Sequence, residues 1–462
     1  MKRRDFGLLA GTSLTTATML RPALAQSAMP DPALLQTTLT PMGGERAGNA
    51  DGSIPPWTGG LTAPPTLPTQ DVRVHLYEDE QPLYTVDASN MAQYADMLTV
   101  GTKYQIEKFG LSLQVYKTHR TAAATQEMYD NTAKNVTRAQ FEPSGGRFGF
   151  TGAVGGVPFP IINTADPLVG GVQLIWNHLT GWSGSTDGIA LFSPGTVVID
   201  GKIILVAGTY GEFSNPYYAP GVTPENYDGY LSKSFFRNVA PSSQVGGETL
   251  AWHSTNVNIH PDIVWVLING EGRVRKAPDE AYDSINPESN GIANVDEAEC
   301  FYGNPSEYNW TYIAKKEMLV PYNCNKMLFT NVLDMLGSNF PDPQVVRWEK
   351  HRVWIVEANL APGEHNVNAK RRFYLDEDSW FALLGEGYDA NGKMVKAYAN
   401  YVTCIPSVPR VSPGSTAIFA LSTGNYVFNG NSAFGGYKAG QFTVNLPPST
   451  FDPEHMATNA SF

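Results

Sequence analysis

Cysteine is scarce in this chain. The 462 residues contain three, Cys300, Cys324 and Cys404. No two of them stand in a C-x-x-C spacing, which leaves a zinc knuckle or a dithiol redox pair without support. An odd count in an oxidising compartment permits one bridge. Cys300 and Cys324 flank one short segment and are the preferred pair, with three buried free thiols as the alternative. Long apolar runs are also lacking. A membrane-spanning helix needs about 20 apolar residues, and no segment beyond the N-terminus approaches that. Basic residues are outnumbered: 32 Lys and Arg against 44 Asp and Glu, for a formal net charge of −12. Such a surface repels phosphate backbones and anionic lipid faces, so nucleic acid is not an expected partner.

Catalytic signatures are missing too. Thr151–Pro160 (TGAVGGVPFP) is glycine-rich, but it lacks a Gly-Lys-Ser/Thr ending, and Pro158 and Pro160 forbid a helix directly after it. It reads as a tight turn where backbones approach. No G-x-S-x-G is present. Gly181–Ser185 (GWSGS) comes nearest, and nothing in the chain order brings His178 or His253 to Ser183 as a base. The eight histidines show neither H-E-x-x-H nor H-x-H. His253 and His260 are set to face opposite sides of a strand, so structural histidines are the expectation and no metal is assigned. Asp376-Glu377-Asp378 falls between two apolar runs and reads as a solvated hairpin tip. Lys370, Arg371 and Arg372 read as cross-strand partners of acidic neighbours. No catalytic residue and no cofactor is assigned.

What is present begins with an address. Lys2, Arg3 and Arg4 precede Phe6 at the spacing of twin-arginine signals. Gly7–Leu20 is weakly apolar and too short to span a bilayer, and Ala23-Leu24-Ala25 is an A-x-A cleavage site. Residues 1–25 are therefore expected to direct export, with a periplasmic destination. No cysteine follows the site, so an acylated N-terminus is not expected. Removing this segment takes away four basic residues and one acid, which makes the remainder more acidic.

Residues 26–70 read as an extended arm. Proline and glycine recur throughout, and Pro55–Pro68 cannot sustain a helix. Helices are expected over Ser89–Phe109, over Ala122–Val136, and after Gly170-Gly171 through Val172, Ile175, Trp176 and Leu179. From Ser183 onward the texture is that of strands. With 44 Gly and 33 Pro and only 16% charged residues, the composition suits short strands and ordered turns. Thr196–Gly208 holds two β-branched runs around Asp200-Gly201, a two-residue hairpin signal. A short helical interlude is expected over Asn331–Leu336. The connections Ala361–Gly363, Asp376–Ser379 and Asp389–Gly392 are short, which favours an antiparallel meander over parallel units. No repeat of fixed period is visible, so a propeller or solenoid is not expected. The fold class expected is mainly antiparallel β with helices (α+β).

Five blocks, Asn49–Gly60, Thr151–Ile161, Ile175–Thr180, Ala314–Asn323 and His351–Trp380, resemble in order the periplasmic domain-of-unknown-function family 1329. That family is grouped with the LolA/LolB-like lipoprotein carriers. The resemblance implies an unclosed, curved half-barrel over residues 71–445 with helices covering its concave face, and residues 446–462 as a C-terminal tail. It also implies a gene neighbourhood of envelope exporters and outer-membrane proteins. Cys300 and Cys324 depart from the family pattern, so a bridge there would belong to a subgroup, and the stretch after Tyr401 matches less well.

Aromatics are plentiful: nine Trp, 22 Tyr and 21 Phe. Trp252, Trp265, Trp354, Phe373 and Trp380 sit in or beside expected strands. They are candidates for lining an apolar cavity as well as for a plain core. The leading expectation is a non-enzymatic carrier or chaperone for a lipid or other hydrophobic compound, accessory to envelope transport. An exported enzyme acting on a hydrophobic substrate is one alternative. A structural subunit docking through the arm onto an envelope transporter or outer-membrane protein is the other.

Overall fold

The computed structural model describes residues 30–65, 70–142, 144–184, 186–270, 272–277 and 283–459. The export signal expected over residues 1–25 lies outside them. After the arm come β1 (Tyr84–Val86), α1 (Val100–Phe109), β2 (Leu113–Val115), α2 (Gln126–Arg138), β3 (Gln140–Phe141), β4 (Phe150–Thr151) and α3 (Pro167–Leu179). A first run of strands follows: β5 (Asp187–Ile199), β6 (Lys202–Ser214), β7 (Tyr230–Ala240), β8 (Glu248–Ser254), β9 (Ile263–Leu267) and β10 (Val274–Lys276). The second run is β11 (Tyr308–Pro321), α4 (Val332–Met335), β12 (Trp348–Leu360), β13 (Lys370–Asp376), β14 (Ala382–Tyr388), β15 (Met394–Ile405), β16 (Arg410–Ala420), β17 (Tyr426–Gly430) and β18 (Gln441–Val444). The described residues end in α5 (Pro453–Asn459).

Local chemistry accounts for the element boundaries. The helix expected over 89–109 is interrupted. Met91–Met97 forms a 3-10 turn, Leu98 is extended, and Thr99 restarts the chain as α1 by accepting the Thr102 N–H on its side chain. Gly110 closes α1 in the left-handed region. Thr125 caps α2, which begins four residues later than the apolar spacing suggests. Asp166 caps α3, with Pro167 in its first turn. Gly170 and Gly171 are therefore inside α3 and do not precede it. A Cβ on Gly171 would lie 2.5 Å from the Thr311 nitrogen, so the glycines let the helix backbone meet β11. At the β5–β6 turn, Asp200 and Gly201 have φ of 49° and 75°, the hairpin geometry expected of that pair.

One sheet runs β1-β2-β12-β13-β14-β15-β16-β17-β5-β6-β7-β8-β9-β10, with β11 added against β12 and β18 against β5. Neighbours are antiparallel except for a single parallel bridge, Trp348 to Val115, between β12 and β2. β5 is long enough to pair with β17 through Gly195–Val198 and with β18 through Asp187–Ala190. It thus splices the two strand runs into one sheet. No pairing joins β10 back to β1 among the described residues, so the sheet is unclosed.

The meander β12–β17 is buried on both faces, with alternate residues going to opposite cores. Val353, Ile355, Tyr374, Ala397 and Ala399 pack on one side with Leu98 and Ile106 of the α1 region. Trp354, Val356, Phe373, Leu375 and Tyr398 pack on the other with Met128 of α2 and Leu174, Ile175 and Trp176 of α3. The helices are thus divided between the two faces. Fully burying one such large apolar side chain contributes about 1.5–3 kcal/mol. A third, smaller cluster joins Phe235, Leu250 and Leu267 to Phe451 and Met456, so the C-terminal segment covers one face of β7–β9.

Candidate ligand cavity

On the face of the sheet that α2 and α3 cover, the helices reach only part of the way along. Beyond the C-terminal end of α3 the trough continues as a cavity of about 1180 Å3, walled by β5–β9, by parts of β16–β18 and by the segment preceding β11. Phe213, Leu231, Phe236, Ala251, Val264 and Val266 form its apolar wall, faced by Phe301 and Tyr302. Ligand cavities commonly hold about 300–1,000 Å3, so this one is of a size for a ligand.

The facing segment is held by buried charge. Arg371 Nη1 lies 2.6 Å from Asp296 Oδ2, and its Nη2 donates to the Cys300 carbonyl at 2.8 Å. The guanidinium also lies over the rings of Phe301, Phe373 and Tyr398. Lys396 pairs with Glu297 at 2.6 Å. These contacts tie residues 296–301 to the meander. Glu299 and Cys300 both adopt positive φ, 49° and 69°, a strained conformation for non-glycine residues. The Glu299 carboxyl lines the cavity, and burial pushes its pKa up to about 7. Glu307, also in the wall, is raised to about 7 by burial and by the nearby Asp296 carboxylate.

His178 ends the helical filling. Its Nε2 bonds the Phe301 carbonyl at 3.0 Å, and its Nδ1 accepts from the Ala382 N–H at 3.1 Å. Burial pushes its pKa down to about 4, so it is neutral and structural. With both ring nitrogens engaged, His178 offers Ser183 no base. Ser183 contributes its carbonyl, which accepts from Arg410 Nη1 at 2.6 Å. His253 also lines the cavity, 3.5 Å from Asp262, while His260 packs on Tyr230. The two histidines do not share a site. The Gly155-Gly156 turn is a close backbone approach as expected: a Cβ on Gly156 would sit 2.3 Å from the Thr132 nitrogen.

The aromatic candidates fall elsewhere. None of Trp252, Trp265, Trp354, Phe373 and Trp380 faces the cavity. Trp354, Phe373 and Trp380 are in the core under α2 and α3. Trp252 and Trp265 lie on the opposite face of β8 and β9, against the C-terminal segment, where Trp252 Nε1 donates to the Phe451 carbonyl at 3.0 Å. Their strand neighbours Ala251, His253, Val264 and Val266 line the cavity instead. Alternation was legible; which of the two faces was hollow was not.

The expected Cys300–Cys324 bridge is absent. All three cysteines are free and buried. Cys300 belongs to the core beneath α3 and Cys324 to the core on the other side of the meander. Proximity in sequence does not bring the thiols together across a sheet.

Asp376-Glu377-Asp378 departs most from expectation. The triplet does form the tip between β13 and β14, but its residues are 0%, 1% and 3% exposed. The N-terminal arm folds over it: the Glu45 N–H donates to Glu377 Oε2 at 3.1 Å, and Trp380 Nε1 to the Met42 carbonyl at 2.8 Å. Arg120 grips Asp378 with Nε at 2.8 Å and Nη2 at 2.7 Å. Lys315 and Arg352 reach Glu377 at 2.6 and 3.0 Å. His351 lies between Glu349 Oε2, at 3.1 Å, and Asp376 Oδ1, at 3.6 Å. Burial alone would lower the pKa of His351, and these carboxylates more than reverse that, raising it. His351, Asp376 and Asp378 place possible ligand atoms within 4.8 Å of one another. Arg120 already occupies both Asp378 oxygens, so the group is an internal ion-pair net that fastens the arm. The basic triplet resolves in two directions. Arg372 and Lys370 pair across the strands with Glu357, as expected, while Arg371 points the other way into the core.

The match to known sequences extends over this whole architecture. A family model described as protein of unknown function (DUF1329) matches residues 85–457. The chain belongs to the DUF1329 family. A relative, an uncharacterized protein of Pseudomonas aeruginosa, is 33% identical over 397 residues, covering 84% of this chain and 83% of its own. Among solved structures, a DUF1329 family protein from Desulfovibrio piger overlaps 63% of this chain and 99% of its own, with a TM-score of 0.42 and 12% identity. A LolA superfamily protein from Nitrosomonas europaea overlaps 61% of this chain and 96% of its own, with a TM-score of 0.35 and 10% identity. At such scores the architecture of this DUF1329 member stands on its own strand order: an unclosed, mostly antiparallel sheet with a few helices.

Proposed function

We propose that this DUF1329 protein is a non-enzymatic carrier or chaperone for a lipid or other hydrophobic compound. The observation that carries the reading is the cavity of about 1180 Å3 with its apolar wall on β6–β9. Burying apolar ligand surface there supplies the driving force, about 25 cal/mol per Å2. The basic, weakly apolar N-terminus with its A-x-A site supports work in the periplasm and export by the twin-arginine route. Docking of a transporter through the N-terminal arm is the weaker reading, because the arm spends its polar groups on the body. Trp57 Nε1 donates to the Ala122 carbonyl at 3.0 Å, and Glu45 binds Lys315 at 2.7 Å.

Native mass spectrometry of the protein purified without detergent tests the carrier reading. Retained lipid, or uptake of an apolar probe such as cis-parinaric acid methyl ester in one-to-one ratio, is the expected result. A protein that neither retains lipid nor takes up the probe is not a carrier of this kind.

A further inference from the structure

One arginine in this protein combines a place in the cavity wall with the lack of a carboxylate partner. Arg120, Arg237, Arg347, Arg352, Arg371 and Arg372 each pair with a carboxylate. Arg46, Arg138 and Arg147 bond carbonyls or a side-chain amide instead, and Arg410 likewise has no carboxylate partner among the described residues, but of these four it alone lines the cavity. It stands at the start of β16, in the cavity wall, where Ser412 and Thr416 also line the cavity. Its Nη1 donates to the Ser183 carbonyl at 2.6 Å and its Nη2 to Gln441 Oε1 at 3.4 Å. Its Nε is buried and has no partner, and the buried Thr416 hydroxyl has none either. Asp187, an acid of the same wall, accepts the Leu446 N–H at 2.8 Å. Trp182 Nε1 donates to the Pro409 carbonyl at 2.8 Å, locking the loop before Ser183 against the strand that carries the arginine. With no counter-charge nearby, desolvation pushes the guanidinium pKa down to about 10.

A charge enclosed without a counter-ion is costly to keep. A guanidinium that can offer a planar fork of N–H groups matches carboxylate and phosphate oxygens. Within the same cavity, Phe213, Phe236, Val264 and Val266 supply an apolar wall that a small anion would leave unused. We propose that Arg410 is the head-group site of the cavity, and that the ligand is an amphiphile bearing an anionic carboxylate or phosphate head. The head sits on the guanidinium beside the Ser412 hydroxyl, and the tail lies along the apolar wall. This rests on the carrier reading and names its ligand class.

The test is a fluorescence titration of the full chain with cis-parinaric acid, ionised at pH 8, and with its uncharged methyl ester, which share one tail. The wild type is expected to bind the acid at least ten-fold more tightly than the ester. Arg410→Met is expected to lose that preference while binding the ester as before, and Arg410→Lys to retain part of it. Thermal melting guards the interpretation: an arginine kept for ligand and not for folding can be removed with no loss of melting temperature. Equal binding of acid and ester by the wild type overturns the head-group site, as does a preference that survives in Arg410→Met. Inorganic phosphate binding as tightly as parinarate overturns the amphiphile and leaves a small-anion site. If the ester does not bind at all, the carrier reading itself has failed, a result distinct from the loss of acid preference alone.

Discussion

Replacing Arg120 with methionine isolates the charge net that holds the arm to the body. The wild-type guanidinium makes two bonds to Asp378, at 2.7 and 2.8 Å, and one to Glu377 at 3.3 Å. It also donates to the arm carbonyls of Glu45, at 2.7 Å, and Pro55, at 3.3 Å. Both Arg120 and Asp378 have side chains only 2% exposed. Glu377 keeps Lys315 and Arg352 after the change. Asp378 is left with no bonded cation among the described residues, and only the His351 ring remains close to it. Removing one partner of a buried pair costs about 3–5 kcal/mol. Arg120→Met is therefore expected to lower the urea midpoint by that equivalent, with an unchanged slope, and to speed proteolysis within residues 42–57. Arg120→Met with Asp378→Asn removes the stranded charge along with its partner and is expected to recover most of the loss. A single variant within about 1 kcal/mol of wild type would refute the reasoning, because the net would then contribute no more than a surface pair. A double variant no better than the single one would do the same.

The cavity and the thiols give three more expectations. Thr249 lies in the cavity wall between β7 and β9, so Thr249→Trp should cut uptake of cis-parinaric acid methyl ester at least ten-fold while the urea midpoint stays near wild type; unchanged uptake would place the ligand elsewhere. Burial pushes the Cys324 and Cys404 thiols up to about 12, and Cys300 further still, so a thiol reagent at pH 8 should label none of them in the folded protein and all three in denaturant. Fewer than three labelled in denaturant without reductant would reinstate a bridge. Glu299 has a folded pKa near 7 against an ordinary value of 4.5, so the folded state binds the extra proton between those pH values and stability falls as pH rises through that window. The loss is at most roughly 3.5 kcal/mol, at about 1.4 kcal/mol per pH unit and less where cavity water screens the group; Glu307, also raised to about 7, adds to the same window, so urea midpoints at pH 5 and pH 7.5 should show the fall, Glu299→Gln should reduce it, and Glu299→Gln with Glu307→Gln should flatten it.

Where order along the chain carries the information, the sequence was enough. Asp200-Gly201 dictates a hairpin because both residues accept positive φ. The short links after β12, β13 and β14 leave no length for a crossover, so the meander is antiparallel. The Asn331–Leu336 interlude forms its one helical turn, α4, with Asn331 as cap. The five ordered blocks were sufficient for the family, and the coarse fold followed.

What the sequence could not determine depended on which segment lies against which. Period-2 alternation splits a strand into two faces and says nothing about which face meets a hollow. Trp252 and Trp265 therefore went to the outside of the cavity, while the plainer Ala251 and Val264 face it. A charged turn is solvated unless something covers it. Asp376-Glu377-Asp378 is covered by an arm more than three hundred residues earlier in the chain, and its cations come from Arg120, Lys315 and Arg352 on separate elements. Arg410 shows no local pattern at all, because what distinguishes it is a missing counter-charge in the wall of a cavity. That is a property of the space around a side chain, and it exists only once the sheet has curved and the helices have filled one part of the trough and not the other.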